Sequence, residues 1–314
     1  MSQMTAGGGM NKCSISVDMD PIDHYLQARS YSPLKGTNLN AVYEDSLPRF
    51  LDVFDRFNVR ATFFVVAKDA QNQSNRVRLR EIVQRGHEIA NHTCRHYQYF
   101  VNLPYQDQRN EIQEADKILS DVVGGKISGF RAPGWGITSE TLDILESLDY
   151  RYDSSVFPSS MISLISYVNW LMNKGRLKRS VGSSFNIGMA PKVPYHPAHQ
   201  HFWKKGNRNI LEMPPTVLPF IQFPFLGTVL YLFGASWFKL NAKYVSWFAR
   251  PLLYELHGLE LVDYYTSIND PRLKAKPGLL KTIVQKEMLY ELMLTTFRSR
   301  YQFVTMKALR EEYT

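Results

Sequence analysis

Short β-branched and aromatic runs alternate with stretches of helical periodicity along most of the chain, and this alternation restricts the fold more than any other feature. Ser14–Asp18 reads as a short strand ending in acid. Leu47, Phe50, Leu51, Phe54 and Phe57 then follow helical spacing, with Asp45 placed to cap the helix and Pro48 in its first turn. Ala61–Val66 is a continuous run of the kind a strand buried on both faces requires. A basic helix over Val77–Arg85 stops at Gly86, and a strand follows at His87–Ala90. The pattern repeats with a helix through Ile112, Ala115 and Leu119, a strand at Ile127–Arg131, a helix at Thr138–Leu148 and a strand at Tyr150–Asp153. It resumes with strand Pro251–His257, helix Glu287–Arg298 and strand Tyr301–Thr305. Strands and helices at this spacing imply parallel strands joined by crossover helices. About seven strands are too few for a regular eight-fold barrel, so the expected α/β fold is a distorted or incomplete (β/α)7 barrel. The boundaries expected are one domain over residues 10–314, with residues 154–254 as a substrate-side cap inserted before the last strands.

Charge is distributed unevenly. The chain carries 37 Lys and Arg against 29 Asp and Glu, a formal +8. Between Ser154 and Tyr254, however, eleven cations face Glu212 alone, a balance of +10 that leaves the rest at −2. The same window holds Trp170, Trp203, Trp237 and Trp247. A basic, aromatic-rich segment on a near-neutral body, without any nucleic-acid motif, argues against a nucleic-acid partner. Met213–Phe238 is free of charge, but Pro214, Pro215, Pro219 and Pro224 break its first half, so no transmembrane helix is expected. Met1–Gly9 lacks the basic start and apolar run of a secretory signal. Two cysteines, Cys13 and Cys94, provide no disulfide framework and suit a reducing compartment.

In a parallel barrel the working residues sit at the C-terminal ends of the strands. The ends here deliver Asp18 and Asp20, then His92 and His96, then Arg131, Asp153 and His257. Asp18 and Asp20 lie two apart, on one face if the strand continues. His92 and His96 have the i, i+4 spacing that aims two imidazoles at one metal from a helical turn, and an Asp from the first strand completes a two-His, one-carboxylate site for zinc or a similar ion. Cys94 between them points elsewhere and reads as a small buried side chain. Arg131, followed by Ala132-Pro133-Gly134, requires a carboxylate if buried, and the Asp that the metal does not use is the nearest candidate. His257 is placed to act as acid or base. His196, His199 and His201 invite a second-metal reading, but Pro197 and the irregular spacing favour a loop.

Taken in order, these elements resemble the NodB-homology polysaccharide deacetylases, carbohydrate esterases that remove N-acyl groups from sugars. The segments that carry the likeness are Ser16-Val-Asp18-Met-Asp20, Ala61-Thr-Phe-Phe64, Gly86 through His96, Phe130-Arg131-Ala-Pro133, Tyr150 through Pro158, and Leu256-His257-Gly-Leu-Glu260. The last two look most like the subgroup of exosortase-linked exopolysaccharide loci, although Gly258 and Leu259 replace the Pro-Trp usual after its histidine. The resemblance implies that Asp20, His92 and His96 hold a divalent metal, zinc first with cobalt, nickel or manganese as alternatives. It implies Asp18 as the base that deprotonates water, Arg131 as its orienting partner and His257 as the acid that protonates the leaving amine. The family commonly has adjacent aspartates; here Met19 separates them, as in a deformylase acting on undecaprenyl-phosphate-linked formamido-arabinose, which leaves the base and ligand roles of Asp18 and Asp20 interchangeable. The implied substrate is an N-acetyl or N-formyl sugar of a glycolipid, lipid-linked glycan or exopolysaccharide. Alternatives on the same scaffold are hydrolysis of another linear or cyclic amide, or a non-catalytic glycan- or lipid-binding protein.

The basic window suggests where such a substrate is met. Residues 161–181 place an apolar run before Lys174, Arg176, Lys178 and Arg179, with Trp170 near the junction, a pattern that suits an interfacial helix on anionic lipid. Residues 220–238 offer a second apolar contact, or else a strand and helix of the cap. The expected location is cytoplasmic, at the inner face of the cell membrane.

Overall fold

In the computed structural model, which describes residues 10–27, 29–161 and 185–313, the first strand β1 (Asn11–Met19) is the organising element. Cys13, Ile15, Val17 and Met19 pack into the main apolar core, whereas Ser16 and Asp18 turn to the opposite face and meet Arg131. This is the period-two consequence of the pleat. The remaining strands are β2 (Thr62–Val65), β3 (Glu88–Asn91), β4 (Gly129–Phe130), β5 (Tyr152–Asp153), β6 (Leu211–Glu212), β7 (Leu252–His257) and β8 (Tyr301–Phe303). Their order is β6-β5-β4-β3-β2-β1-β7, with β8 beside the first residues of β1, and every pair is parallel. The sheet curls until its edges are stitched together: Thr216, just beyond β6, donates its N–H to the Leu253 carbonyl of β7 at 2.9 Å, and the Leu253 N–H returns to Thr216 Oγ1 at 2.9 Å. The result is a distorted, parallel (β/α)7-type barrel.

One strand lies where the sequence pattern predicts only a cap. β6 is two residues long and sits inside the basic window, so that window contributes to the barrel wall. A strand so short carries no periodicity, and its pairing with β5 is set by the neighbouring strand.

Among the described residues the α-helices longer than four residues are α1 (Ile22–Gln27), α2 (Leu47–Arg56), α3 (Gln73–Gln84), α4 (Tyr105–Val123), α5 (Ser139–Ser147), α6 (Gly227–Val245), α7 (Ile283–Arg298) and α8 (Met306–Arg310). α2 buries Leu47, Phe50, Leu51, Val53 and Phe54 as its spacing requires, each large side chain contributing about 1.5–3 kcal/mol. Asp45 does not cap it. A π-helical turn, Val42–Ser46, precedes α2, and Asp45 instead pairs with Arg49 and accepts from the Asp263 N–H (2.7 Å) and Ser267 Oγ (2.8 Å). Thr138 caps α5, and Thr282 with Gln285 forms a capping box on α7. α8 closes one end of the barrel: Met306 and Leu309 pack with Phe64, Ala90, Tyr152, Leu211, Met213 and Leu253. The opposite end, where the strands terminate, stays open.

The expected interfacial segment at 161–181 lies outside the described residues beyond Met161. Residues 220–238 are a turn leading into α6, which is kinked at Gly234 (φ 78°). Among the described residues no helix is long and apolar enough to cross a membrane.

Candidate active site

The open end of the barrel holds a cavity of about 650 Å³, lined among others by Asp18, Asp20, His24, His92, His96 and His257. Parallel register brings these residues together: Asp18 pairs with His257 across β1 and β7, and Asn91, just before His92, pairs with Phe130, just before Arg131.

Asp20 stands one residue past β1. Its Oδ1 is 3.3 Å from His92 Nε2 and 3.1 Å from His96 Nε2. The histidines do not reach this point from a helical turn, as their spacing suggests. Residues 92–96 form a bend in which Thr93 (φ 65°) and His96 (φ 51°) adopt left-handed conformations. For a β-branched Thr this costs about 1–3 kcal/mol. The offset is visible in the bonds that hold the bend: Thr93 N–H to Asn91 Oδ1 (2.7 Å), His96 N–H to Thr93 Oγ1 (3.0 Å) and Arg95 N–H to Glu111 Oε2 (2.8 Å).

The donor set fits a divalent cation. His92 Nδ1 lies 2.7 Å from the Arg131 carbonyl, which fixes the proton there and leaves the Nε2 lone pair facing Asp20. Asp20 Oδ1 is buried and accepts no hydrogen bond. A buried lone-pair acceptor pointed at two imidazole nitrogens is the arrangement a cation completes, and one carboxylate with two imidazoles suits zinc-type chemistry. Burial works against ionisation of Asp20, but His96 and His92 outweigh it and hold the carboxyl well below the ordinary range.

Asp18, not Asp20, meets Arg131. The guanidinium is 2% exposed; its Nη1 donates to Asp18 Oδ1 (2.5 Å) and Ser16 Oγ (3.0 Å), its Nη2 to Ser154 Oγ (2.8 Å) and its Nε to the Ser154 carbonyl (3.1 Å). It also lies over the Phe64 ring, 4.1 Å from the centroid. With every face engaged, Arg131 fixes the direction of the Asp18 carboxylate.

His257 sits between two buried carboxylates, its Nε2 3.7 Å from Glu255 Oε1 and its Nδ1 3.7 Å from Glu260 Oε1. Burial alone would lower its pKa, but Glu260, Glu255, Asp18 and Asp20 together push it up to about 10, so it carries a proton at neutral pH. Glu255 also accepts from Trp135 Nε1 (3.1 Å) and lies 3.5 Å from Arg131; burial raises its pKa against the pull of that guanidinium.

Asp18, Asp20, His92, His96, Arg131 and His257 therefore all line or support one cavity. Asp153 lies behind it, bonding Ser155. Among the described residues His196 joins no metal-type cluster, its Nδ1 facing the carbonyls of Arg208 (2.9 Å) and Ile210 (3.2 Å) in a loop, whereas His199 lies beside Asp143 and Glu146, two carboxylates already paired with Arg208. Sequence reading assigned no role to three neighbours. Glu255 is two residues before His257 and so shares its face of β7, and a Glu inside an otherwise apolar strand was the available signal. Glu260, read only as part of the last motif, is the second carboxylate on His257. His24 stacks on His96, 4.4 Å between centroids, and burial with the adjacent His96 lowers its pKa to about 4.

Residues 37–152 match the polysaccharide deacetylase family model. Among curated proteins, a peptidoglycan deacetylase of Helicobacter pylori is 24% identical over 113 residues, 36% of this chain and 38% of that one. A peptidoglycan-N-acetylglucosamine deacetylase of Bacillus cereus is 33% identical over 86 residues, 27% of this chain and 30% of that one. The aligned stretch thus spans about a third of the length of these relatives. In fold, the chain resembles a protein from Mycobacterium smegmatis solved as a polysaccharide deacetylase (TM-score 0.59, 17% identity, 98% of this chain and 92% of that one). It also resembles Puue allantoinase (TM-score 0.57, 16% identity, 96% and 89% covered). The sequence likeness to the polysaccharide deacetylase family is thus carried by residues 37–152, and the solved structures share the barrel.

Proposed function

We propose that the protein is a metal-dependent amide hydrolase that removes an N-acyl group, acetyl or formyl, from a sugar of a glycolipid, lipid-linked glycan or exopolysaccharide. The observation that carries this reading is the convergence of Asp20, His92 and His96 on one orphaned buried oxygen, beside an Arg-fixed Asp18 and a protonated His257. A divalent ion such as zinc, held by those three residues, would polarise the amide carbonyl and acidify a water.

The chain's own groups then handle two protons. Asp18, oriented by Arg131, takes one from the attacking water as its oxygen bonds to the acyl carbon. His257 delivers the other to the amide nitrogen as the carbon–nitrogen bond breaks, because an unprotonated amine is a poor leaving group. The products are a carboxylic acid and an amino sugar, the acid's proton passing to the amine to leave a carboxylate and an ammonium group, and transfer of the Asp18 proton to His257 through solvent restores both groups. Positioned acid–base groups of this kind contribute about 10²–10⁴ each. Trp135, stacked on Phe157 at 4.9 Å, gives the cavity an aromatic wall on which a sugar ring can rest.

A substrate-selecting cap over residues 154–254 is part of this reading, and Thr228 of that window lines a small hollow next to His257 and Glu260. Two buried free thiols, Cys13 and Cys94, support a cytoplasmic site of action at the inner face of the membrane. The test is to incubate metal-loaded protein with lipid-linked N-acetyl and N-formyl sugars and follow loss of acetyl or formyl by mass. Release from either supports the reading; hydrolysis of a cyclic amide in place of both would keep the scaffold and replace the substrate.

A further inference from the structure

Pro219–Gln222 is the turn of a small hairpin in which Val217 and Pro224 bridge and Leu218 N–H donates to the Phe223 carbonyl at 2.7 Å. Tight turns favour Gly, Asn, Asp or Ser. This one presents Phe220, 80% exposed and left-handed (φ 65°), and Ile221, 63% exposed. A left-handed Phe with its ring in water is costly on both counts, so the folded chain gains nothing from it. Phe248 touches the Phe220 ring edge-on at 5.7 Å, and Phe248 and Trp247 are themselves exposed. Next to them α6 displays Leu232, Phe233 and Leu240, the last 70% exposed.

Charge decides what covers this face. From Met213 to Tyr254 the sequence has no Asp or Glu, while Lys239, Lys243 and Arg250 are all exposed. A second copy packed on the same face about a two-fold axis would oppose like charges. An anionic bilayer meets both properties, accepting Phe, Ile and Trp at the interface and pairing the cations with its phosphates. Beneath the face, Phe223 and Trp237 pack on the apolar cluster of Phe157, Val217, Leu226 and Val229, against which Trp135 of the catalytic cavity also packs.

We propose that the 219–222 turn, the outer face of α6 and Trp247–Phe248 seat the protein on an anionic lipid surface, bringing it to the membrane that carries its substrate. The substrate part of this statement rests on the deacylase reading; the lipid seat itself does not.

The experiment is co-sedimentation of the full chain with vesicles of phosphatidylcholine alone and with phosphatidylglycerol added, in low and high salt. Wild type should pellet with the anionic vesicles and be released by salt. The exposed pair Phe220→Ser/Ile221→Ser should weaken partitioning at least roughly tenfold, and Lys239→Glu/Lys243→Glu about 25-fold or more, each cation near the surface being worth about fivefold. Both variants should melt like wild type and keep wild-type turnover on a soluble N-acylated sugar. Three results overturn the proposal: a folded wild type that stays in the supernatant, unchanged partitioning in both variants, or light scattering that shows a wild-type dimer made monomeric by the Phe220 and Ile221 changes. Vesicle binding by a protein that deacylates nothing leaves the lipid seat standing and removes the deacylase reading.

Discussion

Replacing Arg131 by Met probes the electrostatic centre of the site. The guanidinium is 2% exposed and is the cation between two buried carboxylates, bonded to Asp18 at 2.5 Å and lying 3.5 Å from Glu255. Removing one partner of a buried pair leaves an uncompensated charge and costs about 3–5 kcal/mol. The loss should depend on pH, and its sign follows from Glu255. Burial already raises that carboxyl, and Arg131 is the main influence that opposes the rise. Without Arg131 the native state holds the Glu255 proton to higher pH than the unfolded chain, whose Glu titrates near ~4.3. Native Arg131→Met then binds more protons than its unfolded form, so its stability falls as pH rises. Urea unfolding of wild type and variant at pH 5, 6.5 and 8 should give a gap of about 3–5 kcal/mol near neutrality that widens with pH. Arg131→Lys, which keeps the charge without the fork, should recover part of the stability but not the orientation of Asp18 or the activity. A loss under about 1 kcal/mol, or a gap that does not change with pH, would refute the role of Arg131 as the shared counter-ion.

Other outcomes follow from the same geometry. His257→Ala should lower kcat on an N-acetyl sugar by about 10²–10⁴ but spare an acetyl ester of a good leaving alcohol, compared in parallel kinetic assays; equal losses on both would remove its role as acid. His257 is also raised from its ordinary value to about 10, so its stabilising protonation is complete below about pH 6.5 and disappears as pH climbs through 10. Metal-free His257→Gln should therefore show a flatter loss of stability than metal-free wild type over that interval. Glu212, fully buried beside Asp153, is held well above the ordinary range by burial and by that neighbour, so it keeps a proton and destabilises the fold increasingly as pH rises. Glu212→Gln should melt above wild type by a margin larger at pH 8 than at pH 5, and a margin that shrinks with pH would contradict the assignment.

Much of the site was legible because a parallel barrel aligns strand ends. Asp18 and His257, 239 positions apart, are register partners, and the rule that chemistry sits at strand C-termini selected both. The pair His92 and His96 was found through its spacing, although the spacing suggested a helical turn and the chain uses a bend. What made that bend invisible is in part non-local: besides the local bond of Thr93 to Asn91, the Arg95 N–H is held by Glu111 on α4. Asp18 and Asp20 share a face, so sequence left their roles open. Their partners separate them, Arg131 for one and two imidazoles for the other. Glu255 passed as part of a strand because only the folded sheet shows that it lies between Arg131, Trp135 and His257. β6 had no signal, since two residues show no period and their pairing is dictated by β5.

The central claim is that Asp20, His92 and His96 hold the ion used for N-deacylation while Asp18 does not. It is tested most directly by stripping wild type, Asp18→Asn and Asp20→Asn with chelator, titrating zinc back, and measuring bound metal together with acyl release from an N-acylated sugar. The account predicts about one tightly bound ion per chain in wild type and Asp18→Asn, with turnover restored in wild type alone, and greatly weakened binding in Asp20→Asn. Equal metal binding by the two variants, or acyl release that survives stripping, would contradict it.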